Sequence, residues 1–443
     1  MPPYFLIYLL TILSCYCILS HILKTLMHIQ NILNNEIISH NMISSYDYDH
    51  MVYIRLFEGC NLHCEHCFIP SNPKKIELSY YANNQLINDL EKYGGIKKGE
   101  KIYLQWHGGE PTLLGYEYLS DAIEQINKNS NYKYMHGIQT NLMNFHKDTE
   151  KWVDLYKKYF DSHLGISWDF GIRHIKSQTL SSSETNERFE IQFWENVALA
   201  NSYNLDLYMV VTATKVFFEH FKNPFAFFEM MVEKGITKLN FERITKTGFA
   251  RESWNKLGLS NKEYSDYMSK FFKAYLLFKK NNPEINLNIS PFDGLLRSVL
   301  KLELKESHHL SHKDSANVWD ILSYKNQGYG CWSGECDTRF HTIDSNGYKH
   351  GCTALTSEQD NKNKSLNINV QKIVWFNKKE SQRDTILNER KARQQSCDNC
   401  EFISICSSGC LSVEKFDESQ ECSGAKILFK NIQLNVRKEL NFT

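Results

Sequence analysis

Short apolar runs alternate with amphipathic stretches along the chain from Met51 onward. The spacing of apolar residues at three and four positions predicts helices at 82–95, 115–127, 148–159, 189–203 and 223–234. Six runs have the length and the Val, Ile, Tyr and Phe content of β-strands: 51–57, 101–106, 132–138, 163–168, 205–213 and 237–244. This alternation predicts an α/β fold with parallel strands, either an open sheet or a partial (β/α)6 barrel of the TIM type.

Two changes of pattern divide the rest of the chain. A long helix is predicted at 261–280, and the polar stretch 176–187 is predicted to be a surface loop. After about residue 325, short elements, glycines and cysteines replace the regular alternation. The predicted units are an apolar extension at 1–50, the barrel at 51–250, a helical bridge at 251–325 and a cysteine-rich domain at 326–443.

The first unit contains a long apolar run. Residues 4–23 are nearly free of charge, and their length suffices to span a bilayer. No Lys or Arg precedes the run, and Lys24 follows it, which would leave the rest of the chain on the cytoplasmic side. Two interpretations stay open: a tether to the inner face of the membrane, or a true start of translation at Met42 or Met51.

Composition and charge narrow the class of protein. Lys and Arg together number 51, as do Asp and Glu, so the formal net charge is zero and gives no support for nucleic-acid binding. A hydrophobic content of 42% describes a globular chain. The 13 cysteines are odd in number and clustered, which favours thiolate–metal chemistry in a reducing cytoplasm over a disulfide framework.

Three of these cysteines directly follow the first predicted strand. Cys60, Cys64 and Cys67 have the spacing C-x3-C-x2-C, and no fourth cysteine lies nearby. A cubane iron–sulfur cluster normally takes four thiolates, so three would leave one iron open for a substrate or cofactor. Zinc is the alternative, with His63 and His66 as further donors, although the spacing is poor for zinc.

The motif, with the aromatic Phe68 after it, resembles the signature of the radical S-adenosylmethionine (SAM) enzymes. In that family the open iron binds the amino and carboxylate groups of SAM. The segment "WHGGEP" (106–111) is similar to the family's Gly-Gly-Glu-Pro element. The resemblance implies that Gly108 and Gly109 let the backbone approach the cofactor and that Glu110 anchors the methionine amino group.

Other strand ends extend the resemblance. It implies ribose and carboxylate contacts from "QTN" (139–141) and "SWD" (167–169), and a further cofactor contact from the segment after the sixth strand. Two positions depart from the family pattern: His66 replaces a common aromatic, and Leu142 replaces a common glycine. The remaining residues predicted to contact the cofactor are His66, Phe68, Asn141, Ser167, Asp169 and Arg243.

The cysteines of the last unit resemble a SPASM domain, which carries two auxiliary 4Fe–4S clusters. The resemblance assigns the first cluster to Cys331, Cys336, Cys352 and Cys410. It assigns the second cluster to Cys397, Cys400, Cys406 and Cys422. Together with the first site, the prediction is three 4Fe–4S clusters and SAM. A pair of structural zinc sites is the alternative for this domain.

The resemblance also implies a reaction. In this family a reduced cluster cleaves SAM, and the resulting 5′-deoxyadenosyl radical removes hydrogen from an inert C–H bond. Members with SPASM domains typically act on peptides, which here implies a ribosomally made precursor peptide and a reductant such as flavodoxin or ferredoxin. The segments "CNLHCEHCFIPSNPKK" and "QWHGGEPTLLG" are most similar to darobactin-synthase-type enzymes, which install ether or carbon–carbon cross-links.

Two alternatives to cross-linking stay open. Anaerobic sulfatase-maturing enzymes make formylglycine and typically carry an Asp after the cysteine equivalent to Cys352, where this chain has Thr353. The other alternative is a zinc- or cluster-stabilised scaffold without turnover. The "HGGEP" and "SWD" segments disfavour a scaffold, since a scaffold needs no cofactor pocket.

Overall fold

The structure is a computed structural model. It describes residues 48–69, 74–306, 332–336, 338–345, 347, 349–355 and 382–439. The predicted membrane run at 4–23 and the predicted cluster ligand Cys331 lie outside the described residues. Among the helices that are described, none has both the length and the apolar character needed to cross a bilayer.

The six predicted strands are all present, within two residues of the expected bounds. Eleven strands are found in the described residues: β1 His50–Phe57, β2 Leu62–Cys64, β3 Lys101–Gly108, β4 Lys133–Thr140, β5 His163–Ser167, β6 Arg173–Ile175, β7 Asp206–Ala213, β8 Lys238–Arg243, β9 Asn288–Ser290, β10 Phe340–Ile343 and β11 Lys349–His350.

Helices connect successive strands of the barrel, as predicted. The α-helices of the described residues are α1 Leu78–Ala82, α2 Gln85–Asp89, α3 Gly115–Asn127, α4 Thr149–Tyr159, α5 Ser182–Ser202, α6 Lys215–His220, α7 Pro224–Glu233, α8 Trp254–Leu257, α9 Asn261–Asn281, α10 Phe292–Glu306, α11 Gln382–Gln395 and α12 Lys426–Glu439. A π-helical turn, Leu90–Gly94, continues α2.

One predicted loop is partly helical. The composition of the stretch 176–187 predicts a surface loop, but α5 begins inside it at Ser182. The helix starts there because Ser181 and Glu184 form a reciprocal capping box, in which each side chain bonds the backbone of the other. The polar composition of the stretch therefore marks an exposed helix end.

The strands form one main sheet with the order β11-β10-β1-β3-β4-β5-β7-β8-β9. Every neighbouring pair in it is parallel except β10 and β11. The outward faces of the strands pack against the helices through fully buried residues such as Ile54, Leu104, Ile166, Met209 and Leu239. The α/β fold with a parallel, barrel-type sheet is thus confirmed.

The main sheet extends beyond the predicted barrel unit at both edges. β9 comes from the predicted bridge, and β10 comes from the predicted cysteine-rich domain, where it pairs in parallel with β1. Helices of these two units also meet, because Glu303 of α10 binds Arg437 of α12 at 2.7 Å. The predicted units thus share elements in the folded chain, and their boundaries stay a prediction.

The inner face of the sheet is polar and only half-buried. Alternation along the strands places Tyr53, Tyr103, Gln139, Ser167 and Thr212 on this face, and each is partly accessible to solvent. The carboxyl ends of the parallel strands open onto the same edge, where ligands of such folds bind. The three-cysteine loop follows β1 at that edge.

Candidate active site

The three-cysteine loop is held by a small sheet of its own. Its central part forms β2, which pairs antiparallel with β6 so that Cys64 lies opposite Arg173. The backbone N–H of Cys67 donates to the carbonyl of Cys64 at 3.2 Å and closes a turn between the second and third cysteines. Cys64 is buried, while Cys60 and Cys67 are half-buried. The loop is therefore ordered by backbone pairing as well as by its ligands.

The three thiols share one weakly hydrated environment. Burial raises the pKa of Cys60 to about 11 and raises the pKa of Cys64 and of Cys67. The charge of Cys67 adds to this effect at Cys60, and the charges of Cys67 and Cys60 add to it at Cys64, whereas the guanidinium of Arg173 opposes it at all three thiols. Mutual effects of this kind require the sulfur atoms to be close together. A bound metal centre would supply the positive charge that stabilises the thiolates.

The donor set fits three ligands of an iron–sulfur cluster. Within the described parts of the chain, no group of three or more His, Cys, Asp or Glu side chains is arranged to hold a metal ion. The ligands of a cubane each bind a different iron, so they stand further apart than the ligands of one zinc ion. Three thiols in one loop are the donors that three irons of a cubane would take.

Three glycines allow the surrounding backbone to approach the cysteine loop closely. A Cβ on Gly108 would lie 2.2 Å from the carbonyl oxygen of Phe57, and one on Gly109 would lie 2.2 Å from that of Gly59. A Cβ on Gly248 would meet the carbonyl oxygen of Cys67 and the Cα of Phe68, both at 2.4 Å. Gly108 and Gly109 are predicted to admit the cofactor, and the contact seen at their Cβ positions is with the cysteine loop itself.

Glu110 is the centre of a buried hydrogen-bond network. Its Oε1 accepts from the backbone and hydroxyl of Thr112 and from the hydroxyl of Thr140, at 3.0, 2.6 and 2.8 Å. Its Oε2 accepts from the backbone N–H of Asn141 at 2.7 Å. Burial raises the pKa of Glu110, and these donors oppose that shift. The carboxylate therefore joins the ends of β3 and β4, and its predicted contact with SAM stays a prediction.

Asn141 connects this network to the cysteine loop. Its side-chain amide donates to Oδ1 of Asn61 at 2.8 Å and lies 3.7 Å from Sγ of Cys60. The next residue, Leu142, has a φ of 63°, in the left-handed region that favours glycine. Its carbonyl accepts a 2.8 Å hydrogen bond from Asn196, which holds this conformation. The departure from the family's glycine is thus compensated locally.

Asp169 is surrounded by donors. Its Oδ2 receives Nε and Nη2 of Arg173 at 2.7 and 2.6 Å and lies 3.2 Å from Nε2 of His66, while its Oδ1 receives the backbone N–H of Thr212 at 2.5 Å. Burial acts to raise the pKa of Asp169, but Arg173 and His66 outweigh it and hold this pKa far below its usual range. The hydrogen-bond and ion-pair partners that the structure shows for Asp169 and His66 are therefore other groups of the protein.

Ser167 lies on the inner face of β5, where its hydroxyl accepts a 2.8 Å hydrogen bond from Gln139 of β4. Phe68 follows the last cysteine of the loop and packs beneath Gly248. The structure thus brings the predicted residues of β3, β4 and β5 to the edge that carries the cysteine loop. The cofactor contacts predicted for them stay predictions.

Arg243 has different surroundings from those predicted. Its guanidinium donates to the carbonyl of Ser423 at 2.9 Å and to Asn261 at 2.5 Å, and it lies over the ring of Tyr264 at 4.5 Å. These contacts connect β8 to α9 and to the residue that follows Cys422. The side chain is occupied in joining the barrel to the C-terminal region, which gives no support to a SAM contact.

The C-terminal cysteines form two groups in space. Burial raises the pKa of Cys352, and the neighbouring Cys336 and Cys410 raise it further. Burial raises the pKa of Cys406 to about 12, and the neighbouring Cys422, Cys400 and Cys397 add to this rise. These neighbours fall within the two ligand sets that the resemblance implies, and the assignment of the sets to clusters stays a prediction. The number of auxiliary clusters stays a prediction.

Sequence reasoning missed three charged residues near these cysteines. Arg173 has Nη1 at 3.9 Å from Sγ of Cys64, and Arg390 has Nη2 at 3.1 Å from Sγ of Cys336. Glu242 of β8 is exposed on the inner face, but the surrounding barrel desolvates its carboxyl group and raises its pKa, and the charge of Cys410 raises it further. The only signal for Glu242 was its place at a strand end, and neither arginine lies in a recognisable motif.

Comparison with known proteins gives a match over the region that contains the three-cysteine loop. Residues 54–190 match the Radical SAM superfamily. These residues form a radical SAM domain. The match runs from the second half of β1 to the first half of α5 and includes the cysteine loop, the Gly-Gly-Glu-Pro segment and Asp169. The predicted radical SAM barrel is confirmed over the matched residues.

Known proteins are similar to this chain over most of its length. It is 22% identical over 357 residues to the cysteine-type anaerobic sulfatase-maturating enzyme of Clostridium novyi, covering 80% of this chain and 85% of the relative. Its identity to the enzyme of the same name from Clostridium perfringens is 19% over 356 residues, covering 80% and 86%. The solved structure of anSMEcpe with bound AdoMet and Kp18Cys peptide is 17% identical, has a TM-score of 0.55 and covers 89% of this chain and 99% of that chain. The likeness to this solved structure shows that the two chains share the fold.

Proposed function

We propose that this radical SAM enzyme abstracts hydrogen from a peptide substrate. The observation that carries the proposal is the position of the three-cysteine loop at the open edge of a barrel whose inner face is polar and half-buried. Two glycines, Gly137 and Gly165, lie on this inner face, and neighbouring side chains of Tyr103 and Gln139 occupy the space of their missing Cβ atoms. Such a face offers hydrogen bonds to an extended chain instead of an apolar pocket.

The residues divide into ligands, cofactor contacts and supports. Cys60, Cys64 and Cys67 would hold the SAM-binding cluster, and Asn141 and Ser167 would contact the cofactor. When bound, SAM and the reduced cluster supply a 5′-deoxyadenosyl radical that can attack an inert C–H bond. Glu110 and Asp169 keep the strand ends in register, which fixes the geometry that such attack requires.

The C-terminal groups would hold two auxiliary 4Fe–4S clusters. Cys336, Cys352 and Cys410, with Cys331, would hold the first. The second would be held by Cys397, Cys400, Cys406 and Cys422. Clusters with four thiolates suit electron transfer, so this region is proposed to exchange electrons with the reaction and with a flavodoxin or ferredoxin.

The relatives support a peptide substrate. Two curated relatives are named for sulfatase maturation, and anSMEcpe has been solved with a peptide. We propose a ribosomally made precursor peptide as the substrate and a side-chain cross-link of the darobactin type as the product. Thr353 in place of the expected Asp favours a product other than formylglycine.

Formylglycine formation is the second candidate, because both sulfatase-maturating relatives match about four fifths of the chain. The inner face also offers a carboxylate in Glu242, close to Cys352 and Cys410. That carboxylate stands on a different element from the missing Asp, and it could serve the same purpose of accepting a proton.

Mass spectrometry of a co-expressed peptide separates the two products. The peptides to test are those encoded beside the gene and, in parallel, a Cys- or Ser-containing sulfatase peptide. A cross-link is expected, seen as the loss of two hydrogens with a fragmentation gap between two linked residues. An aldehyde that reacts with hydroxylamine would instead establish formylglycine and contradict cross-linking. Unmodified peptide in both arms, despite turnover of SAM, would contradict a peptide substrate of either kind.

A further inference from the structure

Arg173 occupies a special place beside the cysteine loop. Backbone pairing of β6 with β2 sets Arg173 opposite Cys64, and the N–H of Glu65 donates to the carbonyl of Ile172 at 3.1 Å. From this position, Nη1 of Arg173 points at Sγ of Cys64 from 3.9 Å. Because this contact follows from the register of β6 with β2, it is part of the folded structure of the loop.

The orientation of the guanidinium is fixed from its other side. Nε and Nη2 both bind Oδ2 of Asp169, at 2.7 and 2.6 Å, and leave Nη1 for the sulfur. Asp169 is itself anchored by the backbone of Thr212 and by His66. The exposed fractions of the Arg173 and Asp169 side chains are only 12% and 2%. A lysine could place a charge here, but it could not make this forked contact.

The charge of Arg173 lies close to a proposed cluster ligand and is weakly screened by solvent. Its Nη1 is 3.9 Å from Sγ of Cys64, on a side chain that is only 12% exposed. Reduction adds one negative charge to a cluster held by these sulfurs, and net charge and hydrogen bonds to sulfur set the reduction potential of such clusters. A buried guanidinium on a ligand sulfur therefore stabilises the reduced state more than the oxidised state.

We propose that Arg173 is a positioning residue that raises the reduction potential of the cluster held by Cys60, Cys64 and Cys67. The proposal rests on the cluster assignment of the proposed function, but it is independent of the peptide substrate and of the product. Asp169 acts through Arg173, by directing its Nη1 to Cys64. This gives His66 and Asp169 a role in supporting the cluster loop.

The test is a redox titration of anaerobically reconstituted full-length protein, followed by electron paramagnetic resonance without SAM. The signal to follow is that of the cluster held by Cys60, Cys64 and Cys67, which is recognised by its loss in the Cys64→Ala variant. Arg173→Gln should lower the reduced-to-oxidised ratio of this cluster about tenfold at a fixed potential, equal to about 59 mV for one electron. Arg173→Lys should give a smaller shift, because it keeps the charge and loses the fork. The control is Arg188→Gln, which removes an exposed arginine from nearby α5.

Three outcomes overturn the proposal. An unchanged potential in Arg173→Gln with weaker SAM binding would make Arg173 a SAM ligand. Loss of about four irons in both Arg173 variants would assign it to retention of the cluster. An equal shift in Arg188→Gln would make the effect one of general charge. If the wild-type protein binds no cluster on Cys60, Cys64 and Cys67, the proposed function fails instead, and iron analysis before the titration shows this directly.

Discussion

Replacing Gly248 by alanine is expected to lower the rate of SAM cleavage about a hundredfold while leaving the barrel folded. Gly248 has a φ of 54°, so an alanine there is strained by about 1–2 kcal/mol. Its Cβ would also lie 2.4 Å from the carbonyl oxygen of Cys67, a distance that only a shift of the loop can relieve. A misplacement near 1 Å can cost about a hundredfold in rate. Release of 5′-deoxyadenosine from reduced, reconstituted protein measures the loss.

Gly99→Ala is the matched control for this variant. Gly99 also has a positive φ, of 90°, but a Cβ there would have no neighbour within 4 Å. The two variants therefore share the backbone strain, and only Gly248→Ala presses on the cysteine loop. Equal SAM cleavage by the two variants would show that Gly248 does not support the loop.

Glu110→Gln is expected to weaken both the fold and SAM binding. The glutamine can keep the hydrogen bonds that Oε1 accepts from Thr112 and Thr140, but its NH2 group would face the backbone N–H of Asn141. A buried donor left without an acceptor costs about 1–3 kcal/mol. Chemical denaturation should show a loss of this size, and the Kd for SAM should rise because Asn141 shifts relative to Cys60.

The exposed Glu117 provides the comparison for Glu110. It lies in the first turn of α3 on the surface, so Glu117→Gln makes the same chemical change without burial. Its unfolding midpoint and SAM affinity should equal those of the wild type. A Glu110→Gln variant that behaves in the same way would contradict the structural role of the buried carboxylate.

The sequence predicted the strands of the site and the residues at their ends, because each predictive pattern is local. Alternating apolar runs located all six barrel strands, and Cys60, Glu110, Asn141 and Ser167 follow or end four of them. Parallel strands bring their carboxyl ends to one edge, so the strand pattern alone was enough to place residues together that are distant in sequence.

The contacts that support the site were not predictable, because they depend on distant pairings. The register of β2 with β6 places Arg173 on Cys64, and nothing in "GIRHI" (171–175) signals it. The parallel pairing of β10 with β1 likewise joins segments almost 290 residues apart. Arg243 is predicted from its strand end to contact the cofactor, and the partners that the structure shows for it are Ser423 and Asn261.

For Asp169 the structure shows the location, while its predicted contact with SAM stays a prediction. Its place after β5 suggested a contact with SAM, and the structure does put it beside the cysteine loop. Yet four protein donors surround the two carboxylate oxygens. The sequence predicts where polar side chains lie close together. Which of them form hydrogen bonds with one another is known only from the structure.

The most direct test of the whole account is the measurement of iron and 5′-deoxyadenosine on anaerobically reconstituted protein, reduced in the presence of SAM. The account predicts about twelve irons per chain, four for each cubane cluster, and release of 5′-deoxyadenosine with methionine. Cys64→Ala should lose about four irons and all of the 5′-deoxyadenosine. Zinc-loaded protein without iron, or full SAM cleavage by Cys64→Ala, would contradict it.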